Sequence, residues 1–199
     1  LPVDVQDLDC DFYVCTGHKL YGPSGIGLLY AKEEHLKLMP PYQGGGEMIE
    51  TVHVDRVSYA GLPHKFEAGT PAIVETVGLG AALQYMMQVG RMNILAHEKA
   101  LCEYAHQRFA EFPWLTIYGK ARDKGAILAF NVDGLHPHDI STIIDRSGVA
   151  IRAGHHCAQP LMDWLGVPST CRASFAMYNT KEEIDVLIQS LQKARDLFV

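Results

Sequence analysis

With 199 residues, 48% of them hydrophobic and 20% charged, the chain can bury a core, which excludes disordered and fibrous classes. A formal net charge of -6 with no clustered run of Lys and Arg excludes a nucleic-acid binder, because such binding rests on counterion release. The longest mostly apolar stretch, residues 73–89, contains Glu75 and Gln84 and is rich in Gly and Ala, so no membrane span is expected.

Residues 1–8 include Asp4 and Asp7 and lack a positive start followed by an apolar core, which does not fit a signal peptide. There is no initiator Met, and further sequence ahead of Leu1, cut away or carried on another chain, is expected. The five cysteines (Cys10, Cys15, Cys102, Cys157, Cys171) form an odd set without regular spacing. They fit free thiols in a reducing cytoplasm better than a disulfide framework.

In chain order, residues 11–15 read as a short buried strand and 25–31 as a second, with 16–24 as the turn between them, so Lys19 sits in a strand-to-strand loop. After Gly44-Gly-Gly46 a polar, strand-like passage runs to about Lys65. It is too rich in chain breakers for a core element and is expected to cover a site or a neighbouring subunit. Residues 75–89 have helical composition with small faces at Gly78, Gly80, Ala81 and Ala82, end at Gly90, and are expected to bridge two lobes. An amphipathic helix over 94–112, strands at 115–118 and 126–132, and a helix over 137–147 stopped by Gly148 follow. A strand at 149–152, a short helix after Pro160 and a strand at 172–177 lead to a last helix from Lys181. That helix opens on a capping box, Thr180 with Glu183, and lines Ile184, Leu187, Ile188, Leu191 and Ala194 along one face. The reading gives a mixed α/β chain with a small α+β lobe from residue 91 onward, and a first part spanning 1–90.

Four places carry candidate chemistry. Lys19 is either a solvated surface charge or, in an apolar strand–turn–strand setting, a desolvated amine able to form a Schiff base. Thr16 and His18 beside it offer short donors suited to a phosphate, and the glycines at 17, 22, 25 and 27 allow close approach of a bulky ligand. In Arg152-Ala-Gly-His-His-Cys-Ala-Gln-Pro160, Cys157 is either an ordinary packing thiol or a reactive one. The glycine, the proline and the arginine and imidazoles nearby favour reactivity. Adjacent His155, His156 and Cys157 point in opposite directions on an extended chain and have no partner at ligand spacing, so no metal site is expected. Arg172 opens an apolar strand and needs an anion there, either a structural carboxylate or that of an amino-acid ligand. In Phe66-Glu-Ala-Gly-Thr-Pro71, Thr70 could meet an anion or simply cap the helix that follows.

Taken together, these segments resemble a known family. Thr16-Gly-His-Lys-Leu-Tyr-Gly-Pro resembles the cofactor-lysine motif of the class V aminotransferase group, and the Cys157 segment resembles the catalytic loop of SufS-type, or group II, cysteine desulfurases. With Phe-Glu-Ala-Gly-Thr-Pro and Cys171-Arg-Ala-Ser-Phe in the same order, the resemblance covers essentially the whole chain and is to the C-terminal half of the family. It implies a fold type I, pyridoxal-phosphate-dependent transferase, with residues 1–90 ending the large mixed-sheet domain and 91–199 forming the small C-terminal domain. It further implies a homodimer that uses pyridoxal 5′-phosphate to convert L-cysteine to L-alanine. The sulfur is left as a persulfide, for delivery to a sulfur-acceptor protein of the SufE or SufU type in iron–sulfur cluster assembly.

By the same resemblance, Lys19 carries the cofactor and moves protons, Cys157 accepts the sulfur, Arg172 clamps the substrate carboxylate and Arg152 assists. Thr16 and His18 hold the cofactor phosphate, and Thr70 reaches the phosphate of the partner subunit's cofactor. The rival readings are a selenocysteine lyase acting on L-selenocysteine, a non-catalytic fragment that needs the family's first half, and a plain transaminase, which has no use for Cys157. Two residues depart from the family pattern: Thr16 stands where Ser is frequent, and Lys65 where Arg is common, which removes a bidentate fork. The family's first half supplies the residue that stacks on the cofactor ring, the Asp facing its nitrogen and a glycine-rich phosphate turn, so the chain alone is not expected to hold the cofactor.

Overall fold

The computed structural model describes residues 2–121 and 123–198. The chain divides into two compact units, Pro2–Arg91 and the part from Met92 onward. Among the described residues no helix is long and apolar enough to cross a membrane.

In the first unit, β1 (Phe12–Thr16) pairs antiparallel with β2 (Gly27–Ala31), joined through a 3-10 turn at Gly17–Lys19. The buried strand expected at 11–15 is instead half of a two-stranded ribbon, with Phe12 45% and Val14 73% exposed. Alternating side chains in such a ribbon give each strand two faces, and one layer covers at most one of them. A helix absent from the sequence reading, α1 (Glu33–Leu38), follows. Glu33 and Glu34 at its start and His35 and Lys37 at its end match the helix dipole, and Met39 is extended because Pro40 follows it. The polar passage is a hairpin of β3 (Ile49–Val52) and β4 (Val57–Tyr59), with Val52 and Val54 exposed. Next, α2 (Ile73–Val89) starts two residues earlier than expected, just after Pro71, and stops at Gly90, whose φ of 91° suits a residue without Cβ.

The second unit is a four-stranded antiparallel sheet in the order β5-β6-β8-β7, packed on three helices. After α3 (Arg91–Ala110) come β5 (Leu115–Tyr118), β6 (Ile127–Val132), α4 (Pro137–Asp145), β7 (Arg152–Gly154), α5 (Gln159–Leu165), β8 (Thr170–Ser174) and α6 (Lys181–Asp196). Leu128, Phe130 and Val132 of β6, with Cys171 and Ala173 of β8, face the core. There they meet Leu101, Ala105 and Phe109 of α3, Ile140 and Ile144 of α4, and the apolar stripe of α6. Phe109 and Phe130 meet edge to face with centroids 4.9 Å apart, a geometry aromatic quadrupoles favour. The capping box stands as expected: Thr180 Oγ1 accepts from the Glu183 N–H and the Glu183 carboxylate from the Thr180 N–H.

Two strand boundaries differ from expectation for identifiable reasons. Val149 N–H donates back to the Ile144 carbonyl, closing the turn that follows α4, and β7 begins only at Arg152. At the other end, Ala176 N–H donates to Asn179 Oδ1 and Asn179 N–H to the Ala176 carbonyl. Phe175 N–H still donates to the Ala126 carbonyl, but this side-chain-closed turn diverts Ala176 and Met177 from the ladder, and β8 ends at Ser174.

Candidate active site

Cys157 lies on the connection from β7 to α5. Gly154 (φ 130°), His156 (φ 56°) and Cys157 (φ 58°) all have positive φ. For a residue with a Cβ the left-handed region costs about 1–2 kcal/mol, so bonds must hold the turn. His156 Nε2 lies 2.9 Å from the Thr170 carbonyl oxygen and 2.9 Å from Thr170 Oγ1, and the Ala158 N–H donates to the His155 carbonyl over 2.9 Å. The turn leaves Cys157 exposed, and Arg152 Nη2 donates to its Sγ over 3.7 Å, which sets a positive charge against the sulfur.

The neighbouring sheet face is also positive. Tyr118 pairs with Ala129, Ala129 with Arg172, and Arg172 with Arg152, so the four stand in one row on the face opposite the core. Neither arginine has an ion pair among the described residues. Arg172 Nε is buried without a hydrogen-bond partner among the described residues, and buried donors are normally paired. On this face lies a cavity of about 260 Å³, lined by Tyr118, Ala129, His156, Met162, Thr170 and Arg172 among others. Burial holds the His156 imidazole below its ordinary value, against the opposing bond to Thr170, and the charges of Arg172, Arg152 and His155 act in the same direction as burial.

Several residues of this face belong to no sequence motif and are signalled only by strand parity. Thr170 lies two before Arg172, so strand alternation puts both on one side, and Asn131 interrupts an apolar run at the parity of Ala129. Asn131 Nδ2 donates to the Ser169 carbonyl over 3.1 Å, while its Oδ1 is buried and unpartnered. Of the other cysteines, Cys171 is fully buried and its thiol is pushed up to about 12 by burial, and burial likewise raises that of Cys102.

In the first unit the Lys19 turn is built around Gly17. A Cβ there would fall 2.8 Å from Ile26 Cγ2 and 3.0 Å from the Pro23 carbonyl oxygen, and the Gly17 carbonyl accepts from both Leu20 and Gly22 N–H. One 3-10 turn buries only this glycine, so His18 and Lys19 are exposed; the desolvated setting expected for Lys19 is not present within this unit. Thr16 Oγ1 and His18 Nδ1 are bonded at 2.9 Å. Whichever of them donates, the other retains an outward donor, either His18 Nε2–H or the Thr16 hydroxyl, and such donors suit a phosphate oxygen. Thr70 is exposed on the loop just ahead of α2 and is not hydrogen-bonded to Thr16, His18 or Lys19. Lys65 Nζ donates to the carbonyls of Leu36 and Lys37 at the end of α1, a point charge on a helix C-terminus that needs no fork.

The aminotransferase class-V family matches residues 1–187. A cysteine desulfurase of Pectobacterium atrosepticum is 52% identical over 197 residues, covering 98% of this chain and 48% of that protein. A probable cysteine desulfurase of Streptomyces coelicolor is 50% identical over 200 residues, covering 100% and 48%. The crystal structure of the cysteine desulfurase CsdA from Escherichia coli superposes with a TM-score of 0.95 at 42% identity, covering 100% of this chain and 49% of that one. The chain thus spans about half the length of these relatives. Its fold is that of the pyridoxal-phosphate-dependent cysteine desulfurases, and by the extent of the match over both units the chain belongs to the class-V aminotransferase family.

Proposed function

We propose that this chain works as part of a pyridoxal-phosphate-dependent cysteine desulfurase, taking sulfur from L-cysteine onto Cys157 and leaving L-alanine. The observation that carries the reading is Cys157 itself, exposed on a left-handed turn with the Arg152 guanidinium 3.7 Å from its sulfur. The relatives named cysteine desulfurase support it.

Lys19 is the amine that holds the cofactor and carries protons, and Thr16 and His18 supply donors to its phosphate. Thr70 serves the phosphate of a second subunit's cofactor in a homodimer. When bound, pyridoxal phosphate supplies the electron sink that makes the substrate C–S bond breakable. Arg172 takes the substrate carboxylate, for which a planar fork free of other anions is suited, and Arg152 steadies the same end of the site. The Cys157 sulfur then forms an S–S bond to the substrate sulfur as the C–S bond breaks; the bonding pair stays with carbon, which gains protons to become alanine. The persulfide passes from the exposed thiol to an acceptor of the SufE or SufU type in the cytoplasm, for iron–sulfur cluster assembly.

Intact mass spectrometry of the pyridoxal-phosphate-loaded enzyme after L-cysteine, without reductant, tests this. One added sulfur mapped to Cys157, removable by a thiol, with alanine released, is expected. Bound cofactor with unmodified Cys157 and no alanine would leave the family standing and overturn the reaction.

A further inference from the structure

The geometry points to His156 as a positioning residue: as a hydrogen-bond donor to Thr170 it sets the turn that presents Cys157, the sulfur acceptor of the reaction proposed above. The Thr170 carbonyl oxygen only accepts, so the proton must sit on His156 Nε2, which shares it between that oxygen and Thr170 Oγ1, both at 2.9 Å. Thr170 Oγ1 in turn donates its own hydrogen toward Met162 Sδ at 4.0 Å, which leaves the hydroxyl oxygen to accept from the ring. Thr170 belongs to β8, whose ladder with β7 pairs it with Gly154. The ring therefore ties the Cys157 turn to the sheet that carries both arginines.

The left-handed backbone at 156 and 157 shows what the tie does. Two successive residues with a Cβ and φ of 56° and 58° are held where the chain does not rest unaided. The backbone bond of this turn, Ala158 N–H to the His155 carbonyl, closes around the ring's own residue. Among the described residues Nδ1 is buried and without a partner, and the ring's hydrogen bonds there all go to Thr170. The charged and titratable groups around it, Arg152, Arg172 and His155, raise the cost of a second proton on the ring. A ring that donates through one nitrogen alone is the state the clamp requires.

Packing and donation are separable. His156→Phe keeps a flat ring without a donor, whereas His156→Gln keeps an N–H at similar reach without the ring. Hydrogen exchange of the Ala158 amide, with Leu128 and Phe130 as core reporters of an intact fold, is expected to speed up at least tenfold in His156→Phe and to stay within about threefold of the parent in His156→Gln. Equal protection in His156→Phe, or exchange in His156→Gln as fast as in His156→Phe, overturns the assignment. Should the core amides of a variant also lose protection, long-range ¹H–¹⁵N NMR on the unaltered chain decides. A neutral ring protonated at Nε2 supports the clamp, and one protonated at Nδ1 refutes it. Neither readout needs cofactor or turnover, so the desulfurase reading can fail while this one stands, and the reverse.

Discussion

Arg152 and Arg172 stand directly opposite one another in the β7–β8 ladder, two like charges with no carboxylate ion-paired to either among the described residues. Like charges at such positions destabilise an antiparallel pair, typically by a few tenths to about 1 kcal/mol. On the proposed function, that cost in the free state would be recovered when the substrate carboxylate enters. Arg172→Met is therefore expected to raise the unfolding free energy of the ligand-free chain by up to about 1 kcal/mol. In the loaded enzyme the same change should lower kcat/KM for L-cysteine by about 10- to 100-fold, the range of a charge-assisted hydrogen bond. Denaturant unfolding and steady-state alanine release check the two halves. A variant that is less stable and equally active would show that Arg172 has a structural partner instead of a substrate.

The five thiols should separate sharply in reactivity. Cys157 is exposed, whereas Cys102 and Cys171 are buried in the second unit. With the Cys171 thiol near 12, about one in ten thousand such groups is ionised at pH 8. Iodoacetamide at that pH, followed by peptide mapping, should label Cys157 first and leave Cys171 unlabelled until the chain is unfolded. Cys157→Ala removes an exposed side chain and should leave the melting temperature unchanged while abolishing turnover of L-cysteine. Some turnover of L-selenocysteine should survive, since selenium leaves more readily without help from a thiol. Equal loss on both substrates would count against that last expectation.

What the sequence made legible was the part governed by local rules. The α6 capping box, the stripe from Ile184 to Ala194 and the glycine stop at Gly90 each depend on residues within a turn or two, and each stands as expected. The misplaced strand ends at 149–151 and 175–177 depend on which carbonyl a given N–H chooses, and period-2 apolar runs do not encode that choice. In the site, Cys157, Arg152 and Arg172 were visible because their residue types are unusual in their settings. The His156–Thr170 bond spans 14 positions and joins a turn to a strand, so no spacing rule reveals it. Lys19 differs: an apolar neighbourhood in sequence suggested burial, and within its own unit a single 3-10 turn on a two-stranded ribbon leaves it exposed.

The second unit owes part of its stability to one helix start. Thr180 and Glu183 satisfy each other's backbone N–H groups, and Asn179 Nδ2 adds a 2.8 Å bond to the same carboxylate. Thr180→Ala should cost about 1 kcal/mol, and Thr180→Ser should cost much less because the hydroxyl remains. A thermal melt reads this as a fall of roughly 4–8 °C for a domain of this size. Equal melting temperatures for the alanine and serine variants would mean that the threonine methyl, not its oxygen, matters there.

Stability should also decline as the solution becomes mildly acidic, and two histidines set the window. Burial holds His156 below its ordinary value, and burial with the nearby Lys124 charge does the same for His106. In the unfolded chain both titrate near the reference of about 6.5. Below that pH the unfolded state binds protons that the folded state refuses, so stability rises with pH across the interval and is lost as pH falls from about 6.5 toward the folded values. The carboxylates of Asp11 and Glu33, held low chiefly by Lys32 and Lys37, act in the same direction but only near and below the carboxylate reference of about 4. Unfolding free energies measured at pH 7.5, 6.5, 5.5 and 5.0 should therefore fall before any carboxylate titrates. His106→Gln and His156→Gln should each flatten part of that descent, and the double variant most of it. A parent profile that is flat from 7.5 to 5.0 would mean that both rings accept protons in the folded chain as readily as in the unfolded one. Burial around Thr170 and Lys124 would then be too loose to exclude water.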